Sequence, residues 1–176
     1  MNKIYQDIEK KVDSLLIEYD IKKAPVSVSR FAKKSSLQLI PYEFGEGISG
    51  ALLIEDGKAT VGYNPKESKV RQRFTIAHEI GHYILHSQNS PVFYDKAQIL
   101  FRDENNTSGQ RKEREANAFA ASLLMPKSMI NKELSAIGND KIGITDEEII
   151  KELASQFEVS QIAMTYRLAN LGFINF

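Results

Sequence analysis

The chain has 176 residues, 42% of them apolar and 26% charged, with Lys+Arg and Asp+Glu both at 23 and hence no formal net charge. This is an ordinary globular composition, long enough for one buried core with at most a small appendage. There is no cysteine, which excludes disulfides, a thiol nucleophile and thiolate metal sites, and the lack of a basic excess argues against direct DNA binding through phosphates.

The first residues carry acids early and contain no unbroken apolar stretch, so no secretory signal is expected. No apolar run approaches the ~20 residues needed to span a bilayer, and the expectation is a cytoplasmic protein with no membrane partner. Residues 3–19 place Ile4, Ile8, Val12, Leu15, Leu16 and Tyr19 on one helical stripe. Ala24-Pro25 interrupts it, and Ser27 begins a short second helix that ends near Ser35. Residues 37–44 read as a strand that Pro41 confines to an edge or cuts short. Gly45 to Gly50 reads as a turn region. Residues 51–54 and 59–63 then read as strands joined through Glu55-Asp56-Gly57-Lys58, a hairpin signal.

The next helix covers 69–86. The connection from Ser87 to about Gln110 is long enough to be functional, and Ile99-Leu100-Phe101 inside it reads as a short strand. Residues 111–124 form a helix closed by Met125-Pro126, with another over 127–136 and a loop at 139–143. Thr145 with Glu148 three residues later is a capping-box start for a helix to Phe157. A turn at 158–160 leads into a last helix, 161–170, ending at Gly172.

His78-Glu79-Ile80-Gly81-His82 has the pattern H-E-x-x-H. Residues four apart on a helix differ by ~40° in direction and ~6 Å along the axis, so both imidazoles reach one zinc from one face. Glu79 lies ~100° around the helix from His78. It is placed to take a proton from the water that attacks, not to complete the ligand set. Gly81 weakens the helix by ~1 kcal/mol relative to Ala, which implies a close approach of backbone or substrate. A chance match on a surface helix is the competing account. The apolar neighbours Phe74, Ile76, Ala77, Ile80, Ile84 and Leu85 weigh against it, because buried histidines and a glutamate without partners are costly.

A catalytic zinc keeps three protein ligands. His86 is near in sequence, but it stands ~12 Å of helix rise from His78. It reads instead as a residue near the negative end of the helix dipole. The segment Glu113-Arg114-Glu115-Ala116-Asn117 offers the alternative. Glu113 and Asn117 share a face, so Glu113 can supply the third ligand while Asn117 accepts the N–H of a ligating histidine. Glu115 points ~200° away from Glu113 and reads as solvated or salt-bridged.

Residues 73–86, Arg-Phe-Thr-Ile-Ala-His-Glu-Ile-Gly-His-Tyr-Ile-Leu-His, together with 113–126, Glu-Arg-Glu-Ala-Asn-Ala-Phe-Ala-Ala-Ser-Leu-Leu-Met-Pro, resemble the ImmA/IrrE family of metallopeptidases. The resemblance implies a gluzincin-like site for one Zn2+, with His78, His82 and Glu113 as ligands and Glu79 as catalytic base. It implies an endopeptidase of a bacterium or phage whose substrate is a helix-turn-helix transcriptional repressor, and whose action induces a mobile element or a stress response. Asn117 stands where the family often has Asp, and it polarises a histidine less. The alternative is a non-proteolytic module that keeps the metal site and binds a repressor or senses a signal. Tyr83, Tyr94 and Tyr166 are the candidates for stabilising the oxyanion, and the 99–101 strand for pairing with an extended substrate.

The fold class is therefore α+β: a small antiparallel or mixed sheet of three to four strands on a zincin-like pair of active-site helices, with C-terminal helices resembling a helix-turn-helix. The expected organisation is a metallopeptidase domain over 1–136 and a helical extension over 137–176 packed on it. Leu153-Ala154 through Phe157, Val159 and Ser160 resembles a DNA-binding helix-turn-helix. Its second helix holds one basic residue, Arg167, so packing or docking of a protein is the expected role.

Overall fold

The computed structural model describes residues 3–87, 92–96, 107–137 and 147–174. Its elements are α1 (Lys3–Glu18), α2 (Val28–Lys34), β1 (Leu37–Pro41), β2 (Ile48–Glu55), β3 (Lys58–Tyr63), α3 (Lys69–His86), β4 (Val92–Lys96), α4 (Thr107–Leu124), α5 (Lys127–Ile137), α6 (Glu147–Phe157) and α7 (Gln161–Asn170). They group into two compact units. One comprises Ser27–Ala120, and the other Met1–Val26 with Ala121–Phe176.

The first unit is built on a four-stranded mixed sheet of order β1-β3-β2-β4. β2 and β3 form the expected antiparallel hairpin, with Glu55 opposite Lys58. Asp56 and Gly57 both have positive φ, 49° and 73°, the backbone that a two-residue primed turn demands and that Asp-Gly supplies cheaply. β1 runs parallel to β3 at the sheet edge and ends at Pro41; the Tyr42 N–H still donates to the Tyr63 carbonyl at 2.9 Å, so the missing Pro41 N–H faces the unpaired edge. The Ser27 hydroxyl caps α2 by accepting from the Arg30 N–H, and Ser68 does the same for α3 from Arg71.

One strand expectation changes. β2 begins at Ile48, inside what reads as a turn region. A strand the sequence did not predict, Val92–Lys96, pairs antiparallel with β2, with a bulge between Ile48 and Gly50. The Ile99–Phe101 segment, the 139–143 loop and Thr145 lie outside the described residues.

The core of this unit is made by Phe31, Leu52, Val61, Ala77, Ile80, Ala116 and Phe119, all fully buried. The rings of Phe31 and Phe119 meet edge to face at 6.4 Å. Gly81 shows why α3 tolerates a glycine. A Cβ there would come within 3.1 Å of Phe119 Cβ and 3.2 Å of the Ala116 backbone, so α3 and α4 touch almost backbone to backbone. The close approach implied by the sequence is made by α4.

In the second unit α6 and α7 form a pair joined at Glu158–Ser160, resembling a helix-turn-helix. Arg167 is 5% exposed. Its guanidinium donates to both carboxylate oxygens of Glu9 on α1 and to the Met125 carbonyl. Ser122 donates to the same Glu9 carboxylate at 2.6 Å. The basic residue of the would-be recognition helix is thus an internal tie. Among the described residues no helix is long and apolar enough to cross a membrane.

Candidate metal centre

The first unit brings His78, His82 and Glu113 together. The two histidines are 3% and 2% exposed on α3, and Glu113 enters from the facing side of α4. His78 Nε2 and His82 Nε2 are 3.0 Å apart. Each lies 3.2 Å from a different oxygen of the Glu113 carboxylate. Ligands at ~2.0–2.1 Å from a tetrahedral ion stand ~3.3 Å from one another, so this triangle has nearly the size that a zinc ion requires. One ligand atom from each residue lies within 4.8 Å of the others.

The electrostatics agree with the geometry. Burial pushes the Glu113 carboxyl up, but the bonds and charges of His78 and His82 outweigh it and hold the group at about 2. Burial pushes His82 below its ordinary value, despite the opposing pull of Glu113. A neutral imidazole beside an ionised carboxylate presents lone pairs and negative charge to one point, the condition a cation needs.

Each histidine also has a contact at its other ring nitrogen. His78 Nδ1 lies 3.0 Å from Asn117 Oδ1. That oxygen can only accept, so Nδ1 donates and Nε2 keeps its lone pair. The one-turn spacing of Glu113 and Asn117 places both opposite the histidines, as the sequence predicts. Glu79 is fully buried. β2 passes beside it at Gly50, where an added Cβ would collide with Thr75 Cγ2, come within 2.9 Å of the Gly62 carbonyl oxygen and lie 3.7 Å from Glu79 Cγ. A bare backbone at position 50 is therefore what lets the strand run alongside this stretch of α3.

The three tyrosines lie on three different elements. Tyr83 is half-buried on α3. Tyr94 is in β4, in register with Ala51 of β2. Tyr166 is 60% exposed on α7, in the other compact unit. His86 lies in the last turn of α3, as expected, and is 6% exposed, with one ring nitrogen 3.3 Å from His82 and the other 2.9 Å from Glu115. The sequence carried a signal for this. His86 continues the four-residue spacing of His78 and His82 along one stripe of α3. Glu115 is salt-bridged to Arg111 at 2.7 Å, as expected, but also reaches His86.

Residues 32–169 match the family described as the IrrE N-terminal-like domain. The chain is 30% identical over 122 residues to the metallopeptidase ImmA of Bacillus subtilis (strain 168), an alignment covering 68% of this chain and 63% of that protein. In fold it is similar to a Mycobacterium tuberculosis transcriptional regulator, with a TM-score of 0.63 at 13% identity, covering 93% of this chain and 47% of that one. The chain thus spans less than two thirds of the length of either relative.

Proposed function

The chain belongs to the ImmA/IrrE family of metallopeptidases, and from that premise we propose that it is a zinc-dependent endopeptidase whose substrate is a helix-turn-helix transcriptional repressor. The observation that carries this reading is the convergence of two histidine nitrogens and one carboxylate at 3.0–3.2 Å. His78, His82 and Glu113 hold the ion. When bound, zinc supplies Lewis acidity toward the scissile carbonyl and acidifies water. Glu79 takes the proton of the attacking water and returns it to the leaving amine. Glu79 is fully buried beside His78 on α3. Asn117 holds the His78 ring by accepting from its Nδ1.

The substrate class rests on family membership, and direct DNA binding is not part of the proposal. α7 contributes no free guanidinium, because Arg167 is bound by Glu9 and the Met125 carbonyl. The test is Glu79→Gln in the full chain, assayed against helix-turn-helix repressors from the same genome. The variant should bind zinc as the parent does and leave the repressor intact. Cleavage at the parental rate would refute the role of Glu79. Relief of repression without cleavage, by parent and variant alike, would instead mark a binding module.

A further inference from the structure

His86 closes α3, and its two ring nitrogens face different partners. Nε2 is 2.9 Å from Glu115 Oε2, and Nδ1 is 3.3 Å from His82 Nδ1. These contacts limit where protons can sit. An ionised carboxylate can only accept, so His86 Nε2 donates to Glu115. In a neutral imidazole that leaves Nδ1 as the acceptor. His82 Nδ1 then donates to it, and His82 Nε2 is left with a lone pair. That lone pair is directed to the point shared with His78 Nε2 and Glu113.

We propose that Glu115 and His86 are positioning residues that fix the tautomer and ring orientation of His82 for metal binding. This rests on the reading that His78, His82 and Glu113 hold the ion. The two histidine ligands are then oriented from the same helix by different routes. Asn117 of α4 reaches His78 directly, while Glu115 of α4 reaches His82 through His86. Arg111, one turn earlier, donates to Glu115 Oε1 at 2.7 Å. It anchors the carboxylate and leaves Oε2 for His86. The hydrogen-bond partners of metal-bound histidines contribute about 10–100-fold to metal affinity or activity, and the relay should carry an effect of that size.

The experiment is zinc titration of the purified full chain against a chelator of known affinity, with parallel absorption spectra of the cobalt-loaded protein. The parent should bind one zinc. His86→Ala and Glu115→Ala should weaken binding about 10–100-fold and alter the cobalt bands, while circular dichroism of the metal-free proteins shows the fold retained. Glu115→Gln keeps an oxygen that accepts from His86 and should recover most of the loss, which a purely structural role would not produce. Should the alanine at 86 fail to fold, His86→Leu preserves buried bulk without ring nitrogens and should weaken zinc to the same degree. Folded variants at 86 and 115 that bind zinc as tightly as the parent overturn the relay and leave the metal reading standing. A parent that binds no zinc overturns both.

Discussion

Asn117 accepts a hydrogen bond from His78 across 3.0 Å, linking α4 to α3 immediately behind the three-donor triangle. Asn117→Ala should weaken zinc binding about 10–100-fold by freeing the ring. Asn117→Asp, which replaces a neutral acceptor with an anionic one, should strengthen it, since charge-assisted bonds are roughly twice as strong as neutral ones. Chelator competition on the two variants checks both signs.

Adding zinc should stabilise the folded chain. At a free concentration ~1,000 times Kd the gain is about 4 kcal/mol, read as a rise in thermal midpoint that a chelator reverses. Glu113→Ala removes one of the three donors and should abolish most of the rise. A rise of parental size in that variant would exclude Glu113 from the ligand set.

Gly81→Ala sets two effects against each other. Helix propensity favours alanine by ~1 kcal/mol. The new methyl, however, meets Phe119 Cβ and the Ala116 backbone at 3.1–3.2 Å, atoms that cannot swing aside, and overpacking costs about 1–3 kcal/mol. The expected result is a net loss of stability in denaturant unfolding, larger for Gly81→Val.

The Glu9–Arg167 tie predicts a pH dependence. Burial raises the Glu9 carboxyl, but the bonds and charge of Arg167 and the Ser122 hydroxyl outweigh it, leaving the group below its ordinary value of 4.5. A depressed carboxylate stabilises fully above that ordinary value and loses its contribution as pH falls through its lower folded value. Arg167→Ala should cost about 1–3 kcal/mol at neutral pH, because it takes the guanidinium from a half-buried carboxylate that keeps the Ser122 hydroxyl. The deficit relative to the parent should shrink in acid, where Glu9 is protonated. Urea unfolding at neutral and acid pH measures both.

Much of the site was legible because half of it is local. The spacing of His78 and His82 needs only helix geometry, and the Asp56-Gly57 turn needs only two residues that tolerate positive φ. Glu113 lies far along the chain, and neither periodicity nor capping alone singles it out. What marks it is a shared helix face with a hydrogen-bond acceptor, Asn117. The strand at Val92–Lys96 escaped because Asn89, Ser90 and Pro91 precede it and Asp95-Lys96 ends it, so its Val-Phe-Tyr run reads as part of a loop. The early start of β2 escaped for a tertiary reason. Gly50 is a turn residue by composition, yet the strand continues through it because it must pass Thr75 and Glu79. The first turn of α4, from Thr107, escaped because Gly109 is a poor helix former. The partners of His86 are not legible from its place at the helix end, because a dipole argument looks along the helix axis, whereas they lie beside it.

With its guanidinium turned inward, α7 exposes no charged side chain, and its large apolar side chains Ile162 and Tyr166 are 71% and 60% exposed. An encounter through those two side chains would displace few counterions, so added salt should leave it nearly unchanged, whereas binding to a duplex weakens steeply as salt rises. Ionic strength alone can therefore tell whether this helix pair has kept the job its silhouette advertises.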